Sequence, residues 1–169
     1  YTMTPLGIAY PNDPQATEPA HFQWMIGESL LCAPLLKKYS TGKMDVYLPK
    51  GSWFDYDTGE KHLGPKLLKD FAMPVDKTPC FVGGKGILVT RSSDDTPLTI
   101  HLFPTDQARK SHTIYHPDGT STSEITWAEH GKNTSVTDTA TGKAVELRID
   151  EKTQALAFEI LPGHHYLVK

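Results

Sequence analysis

The sequence predicts a mainly β protein: two small β-sandwiches, with one strand and one helix ahead of them. Three observations predict it. Thirteen Gly and thirteen Pro in 169 residues exceed average usage and favour many turns. The apolar runs are short, and turn signals separate them about every 8–12 residues, the rhythm of β-sandwiches. The polar run Arg91-Ser92-Ser93-Asp94-Asp95-Thr96 then reads as a linker between two strand-forming blocks.

Residues 4–10 form a short apolar strand with Gly7 inside it; Pro5 confines its start to a strand end or edge, and Pro11 stops it. Asn12-Asp13-Pro14 is a turn. In residues 18–27, Phe22, Met25 and Ile26 are three and four apart and share one helical face, and Gly27 can end that helix. A strand and a helix stranded before an all-β remainder are expected of a piece of a longer protein whose chemistry lies outside these residues. Residues 28–36 read as a buried strand. Residues 44–48 alternate, with Met44, Val46 and Leu48 on one face, as in a half-buried strand. Residues 49–52 read as a turn, 53–56 as an aromatic strand and 57–60 as a second turn. Strands over 67–72, 81–82 and 87–89 complete the first block, the last two around Gly83-Gly84. Beyond the linker, strands are expected over 98–103, 111–115, 123–127, 135–137, 144–149, 155–160 and 166–168. Pro117-Asp118-Gly119, Thr141-Gly142, Asp150-Glu151 and Pro162-Gly163 are among the turns between them.

Composition excludes several classes of function. The formal net charge is −3, which gives no general attraction to nucleic acid or anionic membrane. No apolar stretch approaches the ~20 residues that span a bilayer. Cys32 and Cys80 both sit in apolar runs and read as two buried thiols, while a disulfide between them is a question of geometry. Asn133-Thr134-Ser135 is a glycosylation acceptor pattern, meaningful only in a secreted protein.

Motifs for catalysis are sparse. Gly83-Gly84-Lys85-Gly86 lacks the strand–loop–helix setting of a phosphate loop and reads as a turn. The eight histidines are scattered. His164 and His165 point apart if they lie on a strand, and His112 and His116 share no helix face, so no metal site is expected. Asp55 and Asp57 flank Tyr56 beside Trp53 and Phe54. That group reads as a sugar-binding platform or, more plainly, as a hairpin core with an Asp-Thr-Gly turn. No nucleophile-elbow pattern supports a Ser–His–Asp set. The residues themselves thus yield two β-sandwiches with no self-contained active site and no cofactor.

The order of motifs resembles the C-terminal part of glycoside hydrolase family 31, which includes α-glucosidases and α-xylosidases. In that family a Pro-Leu segment runs into a Phe-Pro-x-Asp-Pro-like turn, then a Gln-Phe-Met-like group with Gly, then Leu-Leu-Val-Ala-Pro-Val. Here the matches are Pro5-Leu6, Tyr10-Pro11-Asn12-Asp13-Pro14, Gln23-Trp24-Met25-Ile26-Gly27 and Ser29-Leu30-Leu31-Cys32-Ala33-Pro34-Leu35. The family's Tyr-Leu-Pro-x-Gly-x-Trp-Tyr-Asp and Thr-Gly-Glu are similar to Tyr47-Leu48-Pro49-Lys50-Gly51-Ser52-Trp53-Phe54-Asp55 and Thr58-Gly59-Glu60. Its Pro-Val-Phe-Val-Arg-Ala-Gly-like segment corresponds to Pro79-Cys80-Phe81-Val82-Gly83-Gly84-Lys85-Gly86. Further on, Pro97-Leu98-Thr99-Ile100 and Tyr115-His116-Pro117-Asp118-Gly119 are similar to the distal domain's opening and its Tyr-x-Asp-Asp-Gly turn. Thr4 and Gly83 stand where the family usually has Arg, and Pro117 where it has Asp.

The resemblance implies a C-terminal portion of a retaining α-glycosidase, with a carboxylate nucleophile and a carboxylic general acid on earlier barrel strands. It places residues 1–27 at the end of a catalytic (β/α)8 barrel, 28–91 in a proximal β-sandwich and 92–169 in a distal one. Residues 4–10 then close the barrel as its eighth strand, and the sandwiches brace it. No catalytic carboxylate lies in this chain, which is inactive alone. Tyr10, at the active-site end of that strand, is the nearest candidate to substrate, although packing is its plainer role. The implied partners are the remainder of the polypeptide and an oligosaccharide, with no cofactor and no metal. Hydrolysis, transglycosylation and lyase chemistry are not separated by these residues, and extracellular, periplasmic and cytoplasmic locations are all compatible with them. The contrasting reading is a stand-alone carbohydrate-binding β-sandwich module, which needs Trp53, Phe54, Tyr56 and Trp127 facing solvent.

Overall fold

The computed structural model describes residues 3–17, 22–34, 42–72, 76–106, 110–128 and 134–169. The chain is mainly β and divides into two compact units, residues 1–86 and 87–169.

In the first unit six strands form one antiparallel sheet. They are β1 (Met3–Pro5), β2 (Trp24–Ile26), β3 (Leu30–Cys32), β4 (Lys43–Asp55), β5 (Lys61–Ala72) and β6 (Cys80–Val82), in the order β1-β2-β3-β6-β4-β5. Its core comprises Leu6, Ala16, Met25, Leu31, Val46, Leu48, Trp53 and Phe81, with Tyr47 and Ala33.

Three expectations change here. The strand expected over residues 4–10 stops at Pro5, and Leu6–Ala9 forms one helical turn, α1, closed by the Tyr10 N–H donating to the Leu6 carbonyl at 2.9 Å. Leu6 is buried while Ile8 and Ala9 are exposed, so the run does not alternate as a strand would. The helix expected over 18–27 is corrected at its end: residues 24–26 are strand β2, and residues 18–21 lie outside the described residues. Helical spacing of Phe22, Met25 and Ile26 gives way to ladders on both sides, with β1 and β3. Gly27, at φ 60°, turns the β2–β3 hairpin instead of ending a helix. The turn expected at 49–52 is a bulge inside the 13-residue strand β4, where the register against β5 shifts between Leu48 and Gly51. At that bulge the backbones touch: a Cβ on Gly64 would lie 1.9 Å from the Pro49 carbonyl oxygen.

The second unit is a β-sandwich. One sheet holds β7 (Ile87–Thr90), β8 (Leu98–Leu102), β13 (Arg148–Ile149) and β14 (Leu156–Ile160), in the order β13-β14-β8-β7. The other holds β9 (Lys110–Tyr115), β10 (Thr122–Trp127), β11 (Val136–Asp138), β12 (Lys143–Val145) and β15 (His165–Val168), in the order β12-β11-β15-β10-β9. Among the described strands of this unit only β10 and β15 run parallel; every other neighbouring pair is antiparallel. Ile100, Leu102, Leu156 and Phe158 from one sheet meet Ile114, Ile125, Trp127 and Val168 from the other in a single core. The polar run 91–96 is the connection of the β7–β8 hairpin, held by Arg91 on Asp94 at 2.6 Å and by the Ser93 N–H on the Thr96 hydroxyl. The strand expected over 144–149 is split: β12 belongs to one sheet and β13 to the other.

Candidate functional site

Residues of the resemblance converge in the first unit around the turn that follows α1. Asp13 precedes Pro14 and caps a single 3-10 turn, Pro14–Ala16, by accepting from the Gln15 N–H at 3.1 Å. Its other carboxylate oxygen accepts from the Tyr47 hydroxyl at 2.7 Å. Burial and this bond to Asp13 push the Tyr47 phenol well above its ordinary range. The Tyr47 backbone is clamped as well: the Gln23 amide donates to its carbonyl and accepts from its N–H, both at 2.8 Å. Gln23 is 1% exposed, so this side chain serves a strand interior in place of a backbone neighbour.

Tyr10 is half-buried, its ring tilted against Trp53 at 6.5 Å between centroids. Burial, then the Asp13 charge, raises its phenol to about 12. Trp53 donates its indole N–H to the Pro49 carbonyl at 2.7 Å and lies against Gly83. Gly84 beside it has φ +55° and sits against the Glu28 carbonyl. Lys85 pairs with Glu28 at 2.6 Å. The glycine segment therefore works as a turn, with the Gly86 N–H donating to the Gly83 carbonyl at 2.8 Å. Chemically the cluster offers two phenols held protonated and a carboxylate already bonded.

The other sequence candidates are placed apart from one another. Asp55 accepts at one oxygen from the Asp57 and Thr58 N–H groups at 3.0 and 2.7 Å, so it builds the β4–β5 hairpin turn. Asp57 faces Lys77 at 3.5 Å. Trp53, Phe54 and Trp127 are 1%, 2% and 2% exposed and only Tyr56, at 57%, faces solvent, so the aromatic row that a sugar-binding platform needs is absent. His164 and His165 diverge, to Asp138 at 2.8 Å and Glu124 at 3.7 Å. His116 is buried on the Ser123 hydroxyl at 2.8 Å. Among the described residues, no group of three His, Cys, Asp or Glu side chains converges as a metal site, and no helix is long and apolar enough to cross a membrane. Asn133 lies outside the described residues.

In the second unit a cavity of about 430 Å³ opens between the β7–β8 connection and the turn after β9. Arg91, Asp94 and Asp118 rim it, and Leu98, Ile160 and Leu161 line it. Asp118 accepts from the Thr120 and Ser121 N–H groups at 2.9 and 2.7 Å, so the rim carboxylates serve the loops that carry them.

Sequence reasoning missed the Gln23 clamp and the Asp13–Tyr47 bond. Asp13 ahead of Pro14 is itself a readable N-cap signal, whereas no local pattern announces a partner 24 residues away.

Residues 1–88 match the profile of the glycosyl hydrolase family 31 C-terminal domain. Over 149 residues the chain is 33% identical to a 1,6-alpha-glucosyltransferase of Sporosarcina globispora, covering 83% of this chain and 11% of that protein. Over 123 residues it is 29% identical to alpha-glucosidase 2 of Bacillus thermoamyloliquefaciens, covering 69% of this chain and 15% of that protein. It thus spans 11–15% of the length of these relatives. A family 31 dextranase of Flavobacterium johnsoniae, solved with glucose, has the same fold over 95% of this chain and 27% of its own, with a TM-score of 0.67 at 20% identity. With its first 88 residues matched in one block and the motif turns at Asp13, Asp55 and Gly83 built as described, the chain belongs to glycosyl hydrolase family 31.

Proposed function

We propose that this chain is the C-terminal portion of a retaining α-glycosidase acting on α-glucosidic or α-xylosidic bonds. In this reading residues 1–27 end the catalytic barrel, joined to the first unit's sheet through β1 and β2, and the residues beyond brace it. The carboxylate pair that retention requires, about 5–5.5 Å apart, lies elsewhere in the polypeptide, and the chain alone is inactive. The observation that carries the reading is the family match over residues 1–88, in a chain that spans 11–15% of a named glucosyltransferase and a named glucosidase. The three aspartates of the matched motifs support it: Asp13, Asp55 and Asp118 are all engaged in turns. Tyr10 packs on Trp53 and is assigned to packing, not to substrate.

The test is intact mass and activity against a chromogenic α-glucoside and α-xyloside. The polypeptide that carries this chain should cleave one of them, and a form truncated before residue 1 should lose activity and solubility. A chain of 169 residues that is folded, monodisperse and inactive, yet binds oligosaccharide by itself, would overturn the reading in favour of a binding module.

A further inference from the structure

Cys32 and Cys80 are directly opposed across β3 and β6, in the middle of the first unit's sheet. Both are free thiols, and their sulfurs lie 3.1 Å apart. The ladder alternates around them. The Gly83 N–H donates to the Ser29 carbonyl and the Ala33 N–H to the Pro79 carbonyl, which makes the Ser29–Gly83 and Ala33–Pro79 positions the hydrogen-bonded ones. Counting inward by two along the register gives Leu31–Phe81 as the hydrogen-bonded pair between them, so Cys32 and Cys80, one step away, fall on a non-hydrogen-bonded pair. There the Cα atoms of opposed residues are about 4.5 Å apart and the side chains are closest. That separation lies within the range a disulfide spans. In the motifs quoted for the family, both positions are valine.

We propose that Cys32 and Cys80 form a modification site: a dithiol that a low-molecular-weight disulfide converts into a cross-strand disulfide, locking β3 to β6. The step balances by thiol–disulfide exchange. Cys80 is half-buried and Cys32 is 7% exposed, so the oxidant reaches Cys80 first. The hydrogen bond between the two sulfurs, in which either can donate, lowers the pKa of the Cys80 thiol and raises that of Cys32, while burial, Asp57 and Asp55 act against ionisation of Cys80. The Cys80 thiolate attacks one sulfur of the external disulfide and expels one thiol. The Cys32 sulfur, its proton passing to solvent, attacks the Cys80 sulfur and expels the second. Two protein thiols are oxidised, and one external disulfide is reduced to two thiols. The bridge closes a loop containing the whole β4–β5 hairpin, and the chain entropy removed from the unfolded state falls on the first unit.

The test uses the polypeptide that carries this chain, equilibrated with oxidised or reduced glutathione, alkylated, digested and mapped by mass. Expected with oxidised glutathione are a peptide pair linked Cys32 to Cys80 and a melting temperature higher by on the order of 10 °C, both reversed by reductant. In Cys32→Ser and in Cys80→Ser the rise should vanish and only a glutathione adduct form. The proposal fails if both wild-type cysteines are alkylated after oxidation, or if Cys80 keeps a stable glutathione adduct while Cys32 stays free. Wild-type mapping decides alone should a variant not fold.

Discussion

Gly83 lacks a side chain because Trp53 leaves no room for one. A Cβ built there lies 2.4 Å from the Trp53 ring, and that ring is pinned by its indole N–H bond to Pro49 and by the tilted contact with Tyr10. It is no flexible side-chain tip that could swing away. Gly83→Ala should therefore destabilise the protein by about 1–3 kcal/mol, the cost of overpacking a filled core. A urea midpoint that falls with an unchanged slope would bear this out, and an unchanged midpoint would mean that the indole can move.

At the scale of elements, three aspartates hold turns of the second unit and make its stability depend on acid. Hydrogen bonds from the Ser121 side chain and backbone, then from the Thr120 N–H, lower Asp118 to about 2. The Thr153 backbone and hydroxyl lower Asp150. For Asp138 burial acts upward, but bonds from His164, Thr141 and the Ala140 N–H outweigh it and the net direction is down. In each case the folded pKa lies below the unfolded value, so the unfolded chain binds protons first as pH falls. Their contribution is fully present above the ordinary Asp value of about 4 and is lost toward pH 2. Urea midpoints should be level at neutral pH and drop below about pH 4, with a shallower drop in Asp150→Asn; a midpoint that rises on acidification would contradict this. Turns of this kind were legible in the sequence, as at Asp118-Gly119, because Asp bonds to its own following backbone. The strands of the second unit were legible for a related reason: apolar and polar residues alternate in Leu98–Leu102 and Leu156–Ile160, with burial to match. The first unit was read less well. Trp24–Ile26 carries helical spacing and is held as a strand by partners on both sides, and the Leu48–Gly51 bulge hides one long strand behind a turn-like Pro49-Lys50-Gly51-Ser52. Non-local pairing decided both, and a local pattern does not record it. The same holds for Gln23 on Tyr47 and for Cys32 on Cys80, 24 and 48 residues apart.

For the molecule as a whole, the two units differ in what each needs in order to fold. Every ladder of β7–β15 closes within residues 87–169, and the core between its two sheets draws all of its buried residues, among those described, from the same span. No cysteine lies in that span, so no disulfide supports it. A domain of this size buries little more than about 60% of its unfolded surface and is only marginally stable. At roughly 0.05–0.15 kcal/mol per residue its total is about 4–12 kcal/mol. Surface pairs such as Arg148–Glu159 at 3.8 Å add little to that. The core is therefore what holds it, and Phe158, fully buried in it, faces Tyr166 at 6.0 Å. A fragment of residues 87–169 should fold by itself, with Trp127 fluorescence and far-UV circular dichroism melting together in one transition. Phe158→Ala removes about 3–5 kcal/mol, a large share of that total, and should lower the fragment's melting temperature and urea midpoint sharply. A fragment that shows no cooperative transition even with Phe158 in place would mean that its two sheets need support from outside residues 87–169.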